Sequence, residues 1–244
     1  MQESRIAMWS GPRNISTAMM RSWENRSDTV VVDEPFYACY LTAAGTQHPM
    51  QREVLASQSS DWQTVIGQEL QAALPENTNV QYQKHMTQHM VKSIDRDWFK
   101  TVKHAFLIRH PAQVVASYGV KRDSVSADDV GFARQAEIYK LAEEFGFESI
   151  PVIDSQDVLA NPDKTLASLC EALDLAFDPA MLAWPAGPRD SDGVWAPHWY
   201  QSVEKSTHFA PYTAQEIELT AEQNAVVEEC LPYYDYMYQR RLCM

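Results

Sequence analysis

Residues 10–17, SGPRNIST, place one guanidinium and two hydroxyl groups directly after a short apolar run. An amphipathic run follows, so the pattern predicts a strand, a tight turn and the first turn of a helix. Backbone N–H groups and the positive end of the helix dipole bind anions at such a turn. Alternatively, Asn14 only caps the helix and Arg13 faces solvent. The candidate anion-binding residues are Gly11, Pro12, Arg13, Asn14, Ile15, Ser16 and Thr17.

This loop lacks two residues of the nucleoside triphosphate motif G-x-x-x-x-G-K-[ST]. It has no lysine before the hydroxyl pair and no second glycine. In that motif the lysine reaches the outer phosphates and the hydroxyl binds magnesium. Here the basic residue, Arg13, precedes Ser16 by three positions. The loop therefore favours an anion other than a metal-bridged triphosphate.

A second basic cluster follows the apolar run AFLI, where Arg109 stands at the end of a predicted strand. Ser117 comes eight residues later, in a helix that Pro111 opens. Ligands of parallel sheets bind at the carboxyl ends of the strands, which is where Arg109 is expected. Arg109 and Ser117 are therefore a second candidate anion-binding pair, although a structural ion pair of Arg109 fits the sequence equally well.

Acid–base groups follow two further predicted strands. Glu34 comes after the run TVVVD, and Lys84 and His85 come after VQYQ. His85 is the first candidate for a general base, because the pKa of imidazole lies near neutrality. Glu34 is the second. A metal site built from His85, His89 and His104 lacks a carboxylate at a fixed spacing, so no metal is predicted.

Strand and helix periods alternate through the first 175 residues, which predicts an α/β protein with a mainly parallel sheet in three α/β/α layers. The carboxyl ends of such strands share one edge, so the clusters described above are expected to meet there. The predicted strands are 5–9, 29–33, 79–84, 105–108 and 149–154. The predicted helices are 14–25, 61–74, 97–102, 111–121, 128–145 and 163–173.

Length and composition favour one globular domain over residues 1–244, with 45% hydrophobic and 22% charged residues. The net charge of −13 argues against a nucleic-acid partner, which requires a basic face. The four cysteines have no C-x-x-C spacing, and neither a signal peptide nor a membrane span is indicated. These features predict a cytoplasmic protein, either a monomer or a homodimer.

The C-terminal residues 176–244 have a different pattern. They contain the irregular aromatic stretch WPAGPRDSDGVWAPHWYQ and then a helical region over 213–238. Long irregular segments inside a domain are often lids or binding loops. We therefore expect this region to close the site.

Three stretches together resemble the signatures of sulfotransferases. SGPRNISTAMM resembles their phosphosulfate-binding loop, commonly P-[KR]-S-G-[ST]-T. FLIRHPAQVVASY is similar to their R-x-P signature, with its serine eight residues after the arginine. IDSQDVLANPDKTLASLCEALDL resembles the segment after their third strand. The resemblance covers about residues 5–175. It implies a P-loop NTPase-like fold and 3′-phosphoadenosine 5′-phosphosulfate (PAPS) as the sulfuryl donor.

The resemblance also implies roles for the basic residues. Arg13 would contact the bridging and departing oxygens of PAPS. The backbone and hydroxyls of residues 14–17 would hold its 5′-phosphate, and Arg109 and Ser117 would hold its 3′-phosphate. The transfer is an in-line displacement without a metal, because no triphosphate has to be bridged.

The acceptor implied by the resemblance is a small alcohol, phenol or amine that loses a proton. Cytosolic sulfotransferases use the histidine of a Lys-x-His motif, and Lys84-His85 is one residue tighter. Some bacterial carbohydrate sulfotransferases use a glutamate after the second strand, where Glu34 stands. Lys84 would assist at the sulfuryl group. The candidate walls of the acceptor pocket are Phe36, Tyr37 and Trp195.

Two departures from the family pattern leave other functions open. Ile15 stands where the resemblance expects glycine, and Ser155-Gln156-Asp157 replaces Tyr-Glu-Asp. One alternative is a P-loop kinase of a nucleotide or small metabolite. The other is a catalytically silent nucleotide-binding member of the family, which Ile15 favours.

Overall fold

A five-stranded, all-parallel sheet forms the centre of the computed structural model. The structure describes residues 3–45, 48–119, 124–214 and 217–243. The strand order is β2-β3-β1-β4-β5, so the mainly parallel sheet predicted from the sequence is confirmed. The strands are β1 (Ser4–Ser10), β2 (Thr29–Asp33), β3 (Val80–Met86), β4 (Lys103–Ile108) and β5 (Val152–Asp154).

Alternating side chains of the strands build a separate core on each face of the sheet. On β1, Ile6 and Met8 join one buried cluster, whereas Ala7 and Trp9 join the other. Helices cover both clusters, which gives the three layers expected from the sequence. The helices are α1 (Ser16–Glu24), α2 (Tyr37–Ala44), α3 (Gln51–Ser57), α4 (Trp62–Val65), α5 (Pro111–Gly119), α6 (Ala127–Val130), α7 (Phe132–Glu144), α8 (Ser155–Ala160), α9 (Pro162–Ala172), α10 (Ala196–Trp199) and α11 (Ala221–Tyr238).

Several of the predicted helices differ from the structure. The helix predicted over 97–102 is a 3₁₀-helix, Asp97–Thr101, and the helical region predicted over 213–238 corresponds to α11, which begins at Ala221. The prediction over 61–74 becomes α4 and one π-helical turn that ends at Leu70. The prediction over 128–145 divides into α6 and α7, because Gly131 lies between them with φ of 71°. A left-handed residue ends a regular helix, and glycine adopts that conformation at low cost.

The carboxyl ends of four neighbouring strands meet at a cleft of about 590 Å³. The loop after β1, the first turn of α1, Arg109 after β4 and the last turn of α5 form one end of this cleft. The residues after β2 and β3 form the other end, and the C-terminal region contributes Trp199, Tyr200 and Phe209. Within the described residues, no helix is both long and apolar enough to cross a membrane.

Candidate active site

The loop between β1 and α1 has a left-handed backbone at two non-glycine residues. Arg13 has φ of 60° and Ile15 has φ of 44°. A β-branched residue in this region is strained by about 1–3 kcal/mol. Ile15 therefore keeps a backbone shape that glycine adopts easily, and its side chain packs against the core and lines the cleft.

Two other residues fix the loop to its surroundings. Asn14 Nδ2 donates to the carbonyl of Leu107 on β4 at 2.7 Å. A Cβ at Gly11 would lie 2.6 Å from the carbonyl oxygen of Val130, so only glycine fits there. Asn14 therefore ties the loop to the neighbouring strand, and Ile15, not Asn14, occupies the cap position of α1.

The structure brings Arg13, Arg109 and Ser117 together at the end of the cleft that the loop after β1 forms. Arg13 Nε donates to Ser117 Oγ at 3.0 Å. Arg109 Nη1 donates to the backbone carbonyl of Arg13 at 2.6 Å, and its Nε donates to Gln113 Oε1 at 3.0 Å. The Arg13–Ser117 and Arg109–Arg13 bonds span 104 and 96 residues of sequence, and they form because β1 and β4 are neighbours in the sheet.

The two guanidinium groups are held close together, and the main opposing charge that acts on Arg109, that of Asp154, is not in ion-pair contact with it. Neither Arg13 nor Arg109 makes an ion pair with a carboxylate of the described residues. Burial lowers the pKa of Arg13, and burial and the charge of Arg13 lower the pKa of Arg109. Both groups remain protonated, since arginine ionises far above neutral pH. An anion at this place would relieve their repulsion.

A buried ion cluster forms the other end of the cleft. Asp33 on β2 lies in register with Lys84 on β3, so their side chains share one face of the sheet. Lys84 Nζ donates to Asp33 Oδ1 at 2.8 Å and to Glu34 Oε1 at 2.6 Å. It also donates to Tyr200 Oη at 2.6 Å, and Tyr200 Oη donates to Asp33 Oδ2 at 2.7 Å. Trp195 Nε1 completes the network by donating to Tyr200 Oη at 3.0 Å.

The ionisation of this cluster follows from its burial. Burial raises the pKa of Glu34, and Asp33 adds to the shift although Lys84 opposes it. Burial also opposes the charged form of Lys84, but the carboxylates outweigh it and hold the pKa of the ammonium well above its usual range. The pKa of Tyr200 is raised by burial and by Asp33. At neutral pH Lys84 is therefore charged, and Tyr200 is a neutral phenol.

The structure does not bring His85 into the cleft. His85 follows Lys84 directly on β3, so its side chain points to the opposite face of the sheet. It is 2% exposed and stacks on Trp9, with ring centroids 4.5 Å apart. Burial lowers its pKa to about 3. A neutral imidazole packed among aromatic rings away from the cleft cannot reach an acceptor there.

The three predicted acceptor walls also separate in the structure. Tyr37 lines the cleft. Phe36 lies with His85 in the core on the other face of the sheet. Trp195 is 1% exposed and supports Tyr37 and Tyr200 from behind, with its ring centroid 5.0 Å from that of Tyr37. Phe36 and Trp195 are therefore core residues, not cleft walls.

His89 and Tyr200 complete the acid–base end of the cleft. The sequence suggests a role for His89 only as a metal ligand, together with His85 and His104. The structure instead places it in the cleft wall, with Nδ1 3.8 Å from Glu34 Oε2. Among the described residues, no group of three His, Cys, Asp or Glu side chains is arranged to hold a metal ion. Tyr200 lies in the irregular C-terminal segment, where no spacing indicates it.

The loop between β1 and α1, the two arginines Arg13 and Arg109 and the parallel sheet are features that the comparison with protein families can test. The family model of the sulfotransferase domain matches residues 4–241. The chain belongs to the sulfotransferase domain family. The resemblance seen in the sequence motifs is thereby confirmed, and this sulfotransferase domain extends over the C-terminal region that the motifs did not cover.

Solved structures of sulfotransferases share the fold of this sulfotransferase domain. The sulfotransferase from Alicyclobacillus acidocaldarius superposes with a TM-score of 0.54 at 12% identity, over 99% of this chain and 98% of that chain. The sulfotransferase domain from the curacin biosynthetic pathway has a TM-score of 0.51 at 16% identity, over 93% of this chain and 97% of that chain. The expected P-loop NTPase-like fold is therefore confirmed.

Two curated relatives come from Arabidopsis thaliana. Branched-chain-amino-acid aminotransferase-like proteins 2 and 1 are 31% and 33% identical to the sulfotransferase domain over 232 residues. The match covers 95% of this chain but 41% of each relative. The chain thus spans less than half the length of these relatives.

Proposed function

We propose that this protein transfers the sulfuryl group of PAPS to a hydroxyl or amine of a small-molecule acceptor. The observation that carries the proposal is the pair of guanidinium groups, Arg13 and Arg109, beside the N-terminus of α1 without a carboxylate partner among the described residues. The family supports sulfuryl chemistry, and the two arginines match an anion with two phosphate groups. The predicted cytoplasmic location and the absence of a nucleic-acid partner remain part of this proposal.

At the donor end, the residues divide between the two phosphates. The backbone of residues 14–17 and the hydroxyls of Ser16 and Thr17 would hold the 5′-phosphate at the start of α1, where the helix dipole favours negative charge. Arg109 and Ser117 would hold the 3′-phosphate. Arg13 Nε bonds Ser117 Oγ, so its guanidinium would lie between the two phosphates. It would stabilise the charge that grows on the departing oxygen as the S–O bond breaks.

At the acceptor end, Glu34 would take the proton of the acceptor. It lines the cleft, and its pKa is raised by burial, which improves a carboxylate as a base. Lys84 holds Glu34 Oε1 at 2.6 Å, which leaves Oε2 for the acceptor. Sulfuryl transfer then needs little more than alignment of the acceptor with the sulfur and charge stabilisation. His85, the first base predicted from the sequence, lies on the other face of the sheet and takes no part in this proposal.

The relatives from Arabidopsis extend the proposal to a longer polypeptide. They carry aminotransferase-like names, and this chain matches 41% of their length. We propose that the matched part of these proteins is a sulfuryl-transfer domain.

Replacing Arg109 with alanine should abolish the preference for a 3′-phosphate. Wild-type protein is expected to bind 3′-phosphoadenosine 5′-phosphate (PAP) about 10- to 150-fold more tightly than AMP, because a charge-assisted hydrogen bond contributes about 1.5–3 kcal/mol. In the variant the two dissociation constants should lie within about threefold of each other. Isothermal titration calorimetry without magnesium measures both.

Arg134→Ala is the matched control for this experiment. Arg134 is a partly exposed arginine that pairs with Glu137 on α7 and does not line the cleft. This variant should keep the wild-type preference for PAP. An Arg109→Ala protein that still prefers PAP over AMP would show that another group reads the 3′-phosphate.

A further inference from the structure

The acceptor end of the cleft is walled by aromatic rings. The rings of Tyr37 and Tyr40 both stack on His89, with centroid distances of 4.5 and 4.9 Å. The Nδ1 atom of His48 is hydrogen-bonded to Tyr37 Oη at 2.6 Å, and the ring centroids of His48 and Trp199 lie 6.3 Å apart. All five residues line the cleft, so a ligand there would meet ring faces and edges. Such walls fit a flat apolar body and also attract cations through the electron-rich ring faces.

The charges behind these rings do not balance. Asp33 and Glu34 supply two buried carboxylates, whereas Lys84 supplies one buried ammonium. His89 cannot provide the missing positive charge, because burial holds its pKa well below the usual range. A buried carboxylate without a full partner is unfavourable, and it can be compensated by a bound proton or by a ligand cation.

His89 is a second sign of a missing ligand. It is 5% exposed, and its Nδ1 has no hydrogen-bond partner among the residues that the structure describes. The nearest carboxylate oxygen, Glu34 Oε2, lies 3.8 Å away, which is beyond a hydrogen bond. Buried polar atoms in native proteins rarely lack a hydrogen-bond partner. The space between Glu34 and His89 is therefore where a polar group of the ligand fits.

From the ring walls, the excess negative charge and the unpaired imidazole we infer that the acceptor is an amine with a flat, apolar body. The amine binds as its ammonium against Glu34 and His89, and its body lies along Tyr37 and Tyr40. Glu34 Oε2 takes one proton from the ammonium, which frees the nitrogen lone pair to form the N–S bond as the S–O bond to the departing phosphate breaks. The new sulfamate nitrogen then loses its second proton to solvent, because an N-protonated sulfamate is a strong acid. The cleft is then bipolar, with arginines for the anionic donor at one end and a carboxylate for a cationic acceptor at the other. An acceptor with a carboxylate tail is disfavoured by Glu34. This inference rests on the proposed function and names the class of its acceptor.

Three ligands of the same ring and similar tail length test the inference: 2-phenylethylamine, 2-phenylethanol and 3-phenylpropionate. Their dissociation constants are measured by calorimetry on protein saturated with PAP. We expect the amine to bind about tenfold or more tightly than the alcohol, which is the effect of a charge-assisted hydrogen bond from the ammonium to Glu34, and the carboxylate to bind most weakly. Equal binding of amine and alcohol, tighter binding of the carboxylate, or no binding of the amine overturns the inference.

Glu34→Gln locates the charge that reads the amine. This variant should reduce the advantage of the amine over the alcohol to about threefold or less. Asp128→Asn removes the same charge from an exposed residue outside the cleft and should keep the full advantage. If PAP itself fails to bind wild-type protein, the proposed function is contradicted instead. The three ligands are then compared on protein without nucleotide, so the two failures remain separate.

Discussion

Lys84→Met should destabilise the protein by about 3–5 kcal/mol, because it leaves Asp33 and Glu34 buried without their cation. The side chain of Lys84 is 1% exposed, so water cannot replace it. For a chain of this length, such a loss lowers the melting temperature by about 6–20 °C. Urea titration and thermal melting followed by circular dichroism measure it.

Two comparison variants make this result specific. Lys92→Met removes an exposed lysine and should change stability by no more than about 0.5 kcal/mol. The double variant Lys84→Met/Asp33→Asn removes one carboxylate with the cation and should be more stable than Lys84→Met alone. If Lys84→Met does not fold, the double variant separates the two causes. A double variant that folds indicates that charge imbalance unfolds Lys84→Met, and a double variant that also fails to fold indicates loss of packing. A Lys84→Met protein as stable as wild type would show that the cluster does not need its cation.

Glu34→Gln should lower kcat of sulfuryl transfer by about 10²–10⁴-fold, the usual contribution of a general base. The dissociation constant of PAP should stay the same, because Glu34 lies at the acceptor end of the cleft and the arginines lie at the donor end. Labelled PAPS, with the best acceptor from a set of alcohols, phenols and amines, measures kcat. Asp128→Asn is the control for the change in net charge.

The pH profile adds a second readout for Glu34. A base works when it is deprotonated, and burial raises the pKa of this carboxyl above its usual range. Wild-type kcat should therefore rise as the pH rises through that raised pKa, and the glutamine variant should lack this dependence. A variant with kcat within threefold of wild type would assign the base to another group, and His89 is then the nearest candidate in the cleft wall.

The positions and the parallel direction of the strands could be anticipated because their sequences are short, apolar and separated by helical periods, whereas their order in the sheet was not predicted. β2 begins and ends at the predicted residues, and β4 begins two residues before the predicted strand and ends where it does. Helix ends were harder, since Gly131 interrupts a continuous apolar stripe. Helices α2 and α3 were not predicted, because their sequences have no regular amphipathic period.

The main difference between the predicted and the observed site is the position of His85, which lies one residue after Lys84 on β3. The sequence predicts that Lys84 and His85 act together at the end of a strand. β3 instead continues to Met86, so the two side chains point to opposite faces of the sheet. Only Lys84 is in register with Asp33 on the cleft side, whereas His85 is in register with Trp9. The strand end would have to be known to within one residue to predict this.

Other features of the site depend on tertiary structure. The left-handed backbone of Ile15 cannot be read from its type, because β-branched residues avoid that region. Tyr200 reaches Lys84 over a separation of 116 residues, from a segment without a regular period. The pairing of Arg13 and Arg109, in contrast, follows from two motifs at the ends of adjacent parallel strands.

The most direct test of the proposed donor is a thermal-shift titration of the wild-type protein with PAP, AMP, ATP and magnesium-ATP. A ligand that binds the folded state raises its stability by about 2.7 kcal/mol at 100 times its dissociation constant. We expect PAP without magnesium to raise the melting temperature by about 5–10 °C and the other nucleotides to raise it much less. Stabilisation by magnesium-ATP that equals or exceeds that by PAP would contradict the assignment of a phosphosulfate donor and favour a kinase.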